Sequence, residues 1–346
     1  MLKSKKAAIE VQFNWIFVLI AGALIIGFFV MIVSKQQTSV KSEINIVVSR
    51  AIEAILTGSK VSADSASPGS LPVGNIEFDC DSYSVGDVER KLKQMTVFAP
   101  DLIKGKQIIT WSLPWNVPFR ATNLLLLTSP QVRYIFVYDH LATDDLNVFA
   151  GKLHDKMLEQ LKFKKIEANV DRIKRDGVVT NTNNYKVKFI YFNNQNDANL
   201  AHLSGVDVTA VDVAPLNPSY DPDDGSHGSI EFYEGSGTNW GTGVTDNFYN
   251  EATIYAAIFA ENQELYECVI TKELQKLKRT AEVLRQRSDK LNLYYTSGDC
   301  DVHHLEAKSR LGNMVSNPTI SSIKIEAPHL ISLNTDAEYD SCALIY

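Results

Sequence analysis

The sequence predicts an α+β fold, a mixed sheet with helical cover, placed behind a long N-terminal helix that is first transmembrane and then amphipathic. Three observations carry this. Trp15 to Val33 is a run of nineteen residues without a charge. The middle of the chain reads strand–helix–strand, the order of a sheet with helices packed on it. Residues 250–293 lack Pro and Gly and repeat apolar residues at helical spacing.

At ~1.5 Å per residue the uncharged run spans about 28 Å, close to the ~30 Å hydrocarbon core of a bilayer. A core helix of a globular body keeps a polar face, whereas this one is apolar all round. A cleaved secretory signal has an apolar stretch of only about 7–15 residues and a small-residue exit. Here the run closes on Val30-Met31-Ile32-Val33-Ser34-Lys35. The expectation is a retained single span at the cell membrane, with the lipid bilayer as first partner. Lys3, Lys5 and Lys6 precede it; Lys35 and Lys41 follow, with Glu43 nearby. The positive-inside bias places the N-terminus in the cytoplasm and the body outside, with Trp15 near one interface.

Beyond the span the chain has no Pro or Gly until Gly58, and Val40, Ile44, Val47, Val48, Ala51, Ile52, Ile55 and Leu56 recur at three- and four-residue steps. One helix of about fifty residues follows from the two halves at ~1.5 Å per residue, the second half packing on a partner or on the body. Gly58 is a natural stop. The domain reading is therefore 1–57, helix; 58–75, a flexible linker rich in Ser, Gly, Pro and Ala; and 76–346, an extracytoplasmic mixed body.

In the body, "MTVFA", "KQIITWSLPW" and "PFRATNLLLLTS" lean to strand, broken by Pro100, Gly105, Pro114, Pro118 and Pro130. "VRYIFVYD" reads as a strand, and residues 142–163 as a helix with Asp144 and Asp145 suiting its positive end. "KKIEANV", "YKVKFIYF", "GVDVTAVDVA" and "GSIEFYE" read as further strands. Residues 250–293 read as one long helix, and the tail from Leu305 as mixed, with "YDSCALIY" docked on the body.

Net charge is −7, and the segment through Ser34 holds Lys3, Lys5, Lys6 and Glu10, so the remainder carries about −9. An acidic body repels phosphate backbones, and nucleic acid is not an expected partner. The four cysteines, Cys80, Cys268, Cys300 and Cys342, all lie beyond the span. Outside the cell they pair as disulfides. Four cysteines allow three connectivities; the preferred one joins Cys268 to Cys300 and Cys80 to Cys342.

No motif demands chemistry. "CDVHHLE" places His303, His304 and Glu306 after Cys300, but no second ligand pair lies at zinc-site spacing, and it reads as an exposed polar loop. "YEGSGTNWGTG" is neither a dinucleotide fingerprint nor a Walker loop; Trp240 within it is either a contact residue or tucked inward. Asp221, Asp223 and Asp224 cluster, but Gly225 falls where a calcium loop needs an oxygen-bearing side chain, so they read as turn formers. His140, His154, His202, His227 and His329 are scattered. No G-x-S-x-G, H-E-x-x-H or C-x-x-C occurs. No catalytic, metal or cofactor residue is assigned.

Lys5, Lys6, Ala7, Ala8 and Glu10, followed by "VQFNWIFVLIAGALIIGFF", resemble the start of type IV pilins and archaeal pilin-like proteins. The resemblance covers about 55 of the 346 residues. It implies cutting of a basic leader ahead of the helix, and a glutamate, here Glu10, that aids assembly in a filament core. Cleavage that makes Glu10 the fifth residue falls after Lys5, where that family has Gly or Ala; cleavage after Ala7 makes it the third. Gly22 and Gly27 permit close helix contact, although they are not in G-x-x-x-G spacing. The leading expectation is a non-enzymatic, membrane-anchored surface protein with a structural role, a pilin-like subunit that meets other membrane or surface subunits through its helix. The alternative is a membrane-tethered binding module or enzyme with its site on loops around the sheet.

Overall fold

A computed structural model describes residues 6–61, 64–71, 75–93, 95–161, 170–174, 179, 185–193, 203, 205–216, 225–236, 239–295 and 298–346. It is a mixed α+β fold with three sheets among the described residues. Helix α1 (Lys6–Val61) is unbroken over 56 residues, a rod about 84 Å long. None of its apolar window Val18–Lys35, of mean hydropathy 2.4, is buried. Its far end behaves oppositely. Val48, Ile52 and Leu56, one turn apart, are fully buried.

They pack on two small antiparallel sheets. One has strand order β1-β6-β7 (β1 Ser65–Ser70, β6 Gln107–Asn116, β7 Arg120–Thr128). The other has order β4-β3-β2-β5 (β2 Asn75–Phe78, β3 Ser82–Val85, β4 Val88–Lys91, β5 Leu102–Lys104). Ile108, Leu125 and Leu127 from the first and Ile76, Phe78 and Tyr83 from the second enclose the α1 residues. Each buried aliphatic side chain contributes about 2 kcal/mol. Polar contacts set the register: the Tyr83 hydroxyl donates to the Ser49 carbonyl (2.9 Å), Asn123 Nδ2 to the Lys60 carbonyl (3.0 Å), and the Ser59 and Thr110 hydroxyls bond at 2.7 Å. The amphipathic half of α1 thus packs on the body.

The stretch that composition marks as a linker contains β1, paired with β6 from Ser65↔Ser112 to Ser70↔Gln107. Sheet structure therefore begins before residue 76. Its small residues suit it to this place: a Cβ at Gly69 would meet Ile55 at 2.9 Å and Ile108 at 3.1 Å. Pro114 does not break β6. It lies past Ser112, the last β6 residue paired with β1, where its missing N–H costs no ladder bond on that side. Phe98 of "MTVFA" makes an isolated bridge to Leu126 rather than part of a strand.

The largest sheet runs β13-β12-β11-β10-β8-β9, with β14 also beside β12. Its strands are β8 (Val132–Val137), β9 (Val170–Ile173), β10 (Lys186–Phe192), β11 (Asp207–Pro215), β12 (His227–Ser236), β13 (Asn239–Trp240) and β14 (Val244–Tyr249). Strands β8 to β11 are parallel, and β12 turns antiparallel to β11. Helix α2 (Asp145–Leu161) lies between β8 and β9 in sequence. Every β10 residue is buried: Ile190 and Phe192 enter the main core, while Phe189 and Tyr191 face the other side. There Trp240 tucks inward, its ring 5.9 Å from that of Phe189 and 6.1 Å from that of Tyr191.

The long helix expected over 250–293 is two. Helix α3 (Asn250–Phe259) is buried along its whole length, and Trp111 of β6 lies against its Tyr255 at 4.7 Å between ring centroids. Helix α4 (Gln263–Tyr294) restarts on Asn262, whose side chain accepts from the Leu265 N–H at 3.0 Å. Asn is a favoured N-cap, and this is the signal that periodicity alone passed over. The tail is mostly helical: α5 (Asp299–Ser316) packs on α4, and α6 (Ile320–Tyr339) on α5 and β14. The last residues dock as expected. Ile345 is fully buried, and Asn334 Oδ1 accepts from its N–H at 2.8 Å.

The disulfides are Cys80–Cys268 and Cys300–Cys342, correcting the preferred pairing. Helix α4 is the reason. Cys268 lies near its start, and from there to its last residue, Tyr294, the helix rises about 39 Å; Cys300 lies beyond that far end, out of reach of the ~7 Å Cα separation that a disulfide tolerates.

Candidate functional site

Lys5 lies outside the described residues. Lys6, Glu10 and Trp15 lie on α1, and Trp15 is 70% exposed. Glu10 and Trp15 are five residues apart on one rod, far in sequence from the buried turns at Val48 to Leu56.

The body carries a second feature that the sequence did not reveal. A cleft of about 630 Å³ opens where the β2–β3 turn, the start of β11, the end of β12 and the α3–α4 junction meet. Asp101, Asp207 and Glu261 converge at its base, with one oxygen from each lying within 4.8 Å of the others. Lys186, only 2% exposed, sits among them: Nζ is 2.6 Å from Asp101 Oδ1 and 2.8 Å from Asp207 Oδ2, and it also bonds Glu261. The chain thus supplies its own cation where a metal ion would have to sit. Burial pulls the Lys186 pKa down, but Glu261 and the hydrogen bonds from Asp101 and Asp207 more than offset this, leaving it raised. Glu261 is itself raised, because burial outweighs Lys186 and Lys188.

Lys188 shares the inner face of β10 with Lys186. Its Nζ donates to the Ala257 carbonyl (3.2 Å), to the Ala260 carbonyl and to the Glu261 carbonyl (3.4 Å) at the end of α3. A cation there complements the helix C-terminus, while burial lowers its pKa to about 7. The stretch that reads as a strand in sequence carries both lysines on its inward face in the fold. Other bonds tie the same corner. The Tyr185 hydroxyl donates to the Leu102 carbonyl (2.8 Å), Lys272 Nζ donates to the Cys80 carbonyl (2.7 Å) and Asp81 (2.6 Å), and Cys80–Cys268 forms part of the wall.

"CDVHHLE" is not an exposed loop but the first turns of α5. Cys300 is oxidised and so cannot serve as a thiolate ligand. His303 Nε2 lies 2.7 Å from Asp340 Oδ2. His304 is fully buried, stacked on Tyr295 at 5.6 Å between ring centroids, with no partner for either ring nitrogen. Burial, with Arg287 and His303 nearby, lowers its pKa. The unfolded chain therefore binds this proton more readily than the folded one. The stability from neutral His304 is complete above about pH 6.5 and is lost as pH falls through the lowered folded pKa. Thermal unfolding of the wild type is expected to show a fall in Tm between about pH 7 and pH 5 that is smaller in His304→Phe, which keeps the ring stack. Equal falls in both would assign the loss to other groups.

His154 Nδ1 meets Asp155 at 2.8 Å, and His227 Nδ1 the Gly225 carbonyl at 3.2 Å. His202, Asp221, Asp223 and Asp224 lie outside the described residues, as do most residues of the loops that follow the carboxyl ends of β10 and β11, where open α/β sheets hold ligands. Among the described residues no hydroxyl or thiol nucleophile is hydrogen-bonded to a histidine.

The fold and site together define a class: an α+β body, closed by two disulfides, carried on one long helix whose free half is apolar enough to cross a membrane. No protein-family model, curated protein or solved structure matches the chain.

Proposed function

We propose that this is a single-pass, membrane-anchored surface protein with a structural role, a pilin-like subunit that associates laterally through the apolar half of α1. The observation that carries this reading is the continuity of α1: one helix of 56 residues is bare over its apolar window and fully buried at Val48, Ile52 and Leu56. A rigid join of that kind transmits the position of a membrane or filament helix to the body, which a flexible tether would not. Two disulfides fit an oxidising space outside the cell. The basic N-terminus fits the cytoplasmic side. Lys5 and Lys6 hold that end inside, Trp15 lies at the interface, and Glu10 is the assembly residue. Outside, helices cover the mixed sheet of the body.

The test is extraction of native membranes with alkaline carbonate, followed by unreduced mass measurement. The protein is expected to stay in the pellet, to begin after Lys5 or Ala7, and to lose its chemically cross-linked multimers on Glu10→Gln substitution. Release by carbonate would remove the anchor; an intact leader would remove the pilin-like role and leave the anchor.

A further inference from the structure

Residues 343–346 form a strap across the last helices. Past Cys342, which is tied to Cys300, they run along α4 from Tyr295 toward Arg287. The Tyr295 hydroxyl accepts from the Ala343 N–H at 3.2 Å, and Arg287 Nη1 donates to the Ile345 carbonyl at 3.0 Å. From α6, Asn334 Oδ1 accepts from the N–H of Ile345 at 2.8 Å and of Tyr346 at 3.3 Å. Ile345 enters the main core, and the Tyr346 ring lies 6.1 Å from that of Phe119. His304 meets the same two α4 side chains that hold the strap: Tyr295 stacks on its ring, and Arg287 faces it. It is fully buried, and neither ring nitrogen has a partner. The charged groups that face it are Arg287 of α4 and His303 of its own helix, and neither offers a counter-charge. Of the acids nearby, Asp340 at the end of α6 is bonded by His303, and Asp301 by Asn292 of α4.

We propose that His304 is an acid-sensitive latch for this strap: a proton on its imidazole releases residues 343–346 from α4 and α6, while Cys300–Cys342 keeps them attached and the sheet stays folded. An imidazolium carries two N–H donors, and an unpaired charge is too costly to keep dry. Tyr295 is half-buried and is the C-cap of α4, and helix ends fray first. Water therefore reaches the ring by displacing Tyr295, which breaks the bond to Ala343. The new charge also repels Arg287, which holds Ile345. The sign follows from the burial. With the strap closed the ring resists protonation, whereas in water it regains its ordinary pKa of about 6.5, so acid draws the equilibrium toward the open form. The strap yields before the helices do because short segments open well below the energy of global unfolding. Helices α4 and α5 stay joined by Lys308 and Asp289 at 2.6 Å and by the buried Ala281, Ala307 and Leu311. Release uncovers the seat of Ile345, an apolar site that is closed at neutral pH.

The test is amide hydrogen exchange on the full chain in neutral detergent, unreduced until the quench, at about pH 7.5 and about pH 5.5. Rates are corrected for the intrinsic effect of pH. Protection of residues 343–346 is expected to fall about tenfold at the lower pH, the ratio for an imidazole of pKa about 6.5 that is protonated only in the open form. Strand β10 should keep its protection. His304→Phe, which keeps the ring stack, should abolish the fall, and His303→Gln, which leaves the latch in place, should retain it. Exchange at the His304 ring carbon between the two nitrogens reports the protonation state in the wild type, with no variant needed; the ring should gain its proton over the same pH range in which the strap opens. A strap equally protected at both pH values, or an equal fall in His304→Phe, would overturn the proposal. So would a ring that takes up its proton while the strap stays protected. A matching loss in β10 would show global unfolding instead, and loss of the effect in His303→Gln would move the latch to the His303–Asp340 pair; either result overturns it.

Discussion

Replacing Cys80 and Cys268 together by serine is expected to lower the unfolding free energy by about 5 kcal/mol, because the link closes the longer of the two loops. The two cysteines are 188 residues apart, against 42 for Cys300 and Cys342. In the chain-entropy model the shorter link contributes about 4 kcal/mol. The order of the two effects is therefore part of the prediction. Denaturant unfolding of the wild type and both double variants, unreduced, measures it. The longer link also joins the β2–β3 turn to α4, beside the bond from Lys272 to the Cys80 carbonyl. Its loss should raise amide exchange first in β2 to β5. A Cys268–Cys300 peptide in an unreduced digest would refute the arrangement outright.

Ile52→Asp is expected to destabilise the body by about 4 kcal/mol, since it places an unpaired carboxylate in a dry contact. Ile52 is fully buried between α1 and the two small sheets, with Val48 and Leu56 one turn either side. Val47→Asp is the control: Val47 is 57% exposed on the same helix, and its substitution should fall within about 0.5 kcal/mol of wild type. If both variants unfolded alike, or neither shifted the midpoint, α1 would not be packed on the body as described, and the rigid join on which the proposed function rests would fail with it.

Much of this architecture is legible from residue patterns because its causes are local. An uncharged run from Trp15 to Val33 reads as a helix long enough to cross a membrane, and the three- and four-residue steps through Val48, Ile52 and Leu56 announce a face before any partner is known. Strands such as β8 and β11 declare themselves by β-branched and aromatic runs. Other features depend on neighbours far away in the chain. The Ser-rich stretch 65–70 has the composition of a linker and becomes a strand because β6 offers an open edge beside Ile108, where a small residue at position 69 is needed. The long helix divides at Ala260–Asn262, where Asn262 begins a new one and leaves Glu261 to meet Lys186.

The sequence by itself determined the long apolar helix with its amphipathic continuation, the mixed α+β class, the acidic character of the body and the presence of four cysteines to be paired. Only the tertiary structure decided which cysteines meet, that Lys186 and Lys188 are buried rather than solvated, and that scattered acids from the small sheet, β11, β12 and the α3–α4 junction line one groove. Helix and strand period arise from contacts within a few residues. Disulfide partners and charge clusters arise from which distant elements the core brings side by side, and no spacing along the chain encodes that.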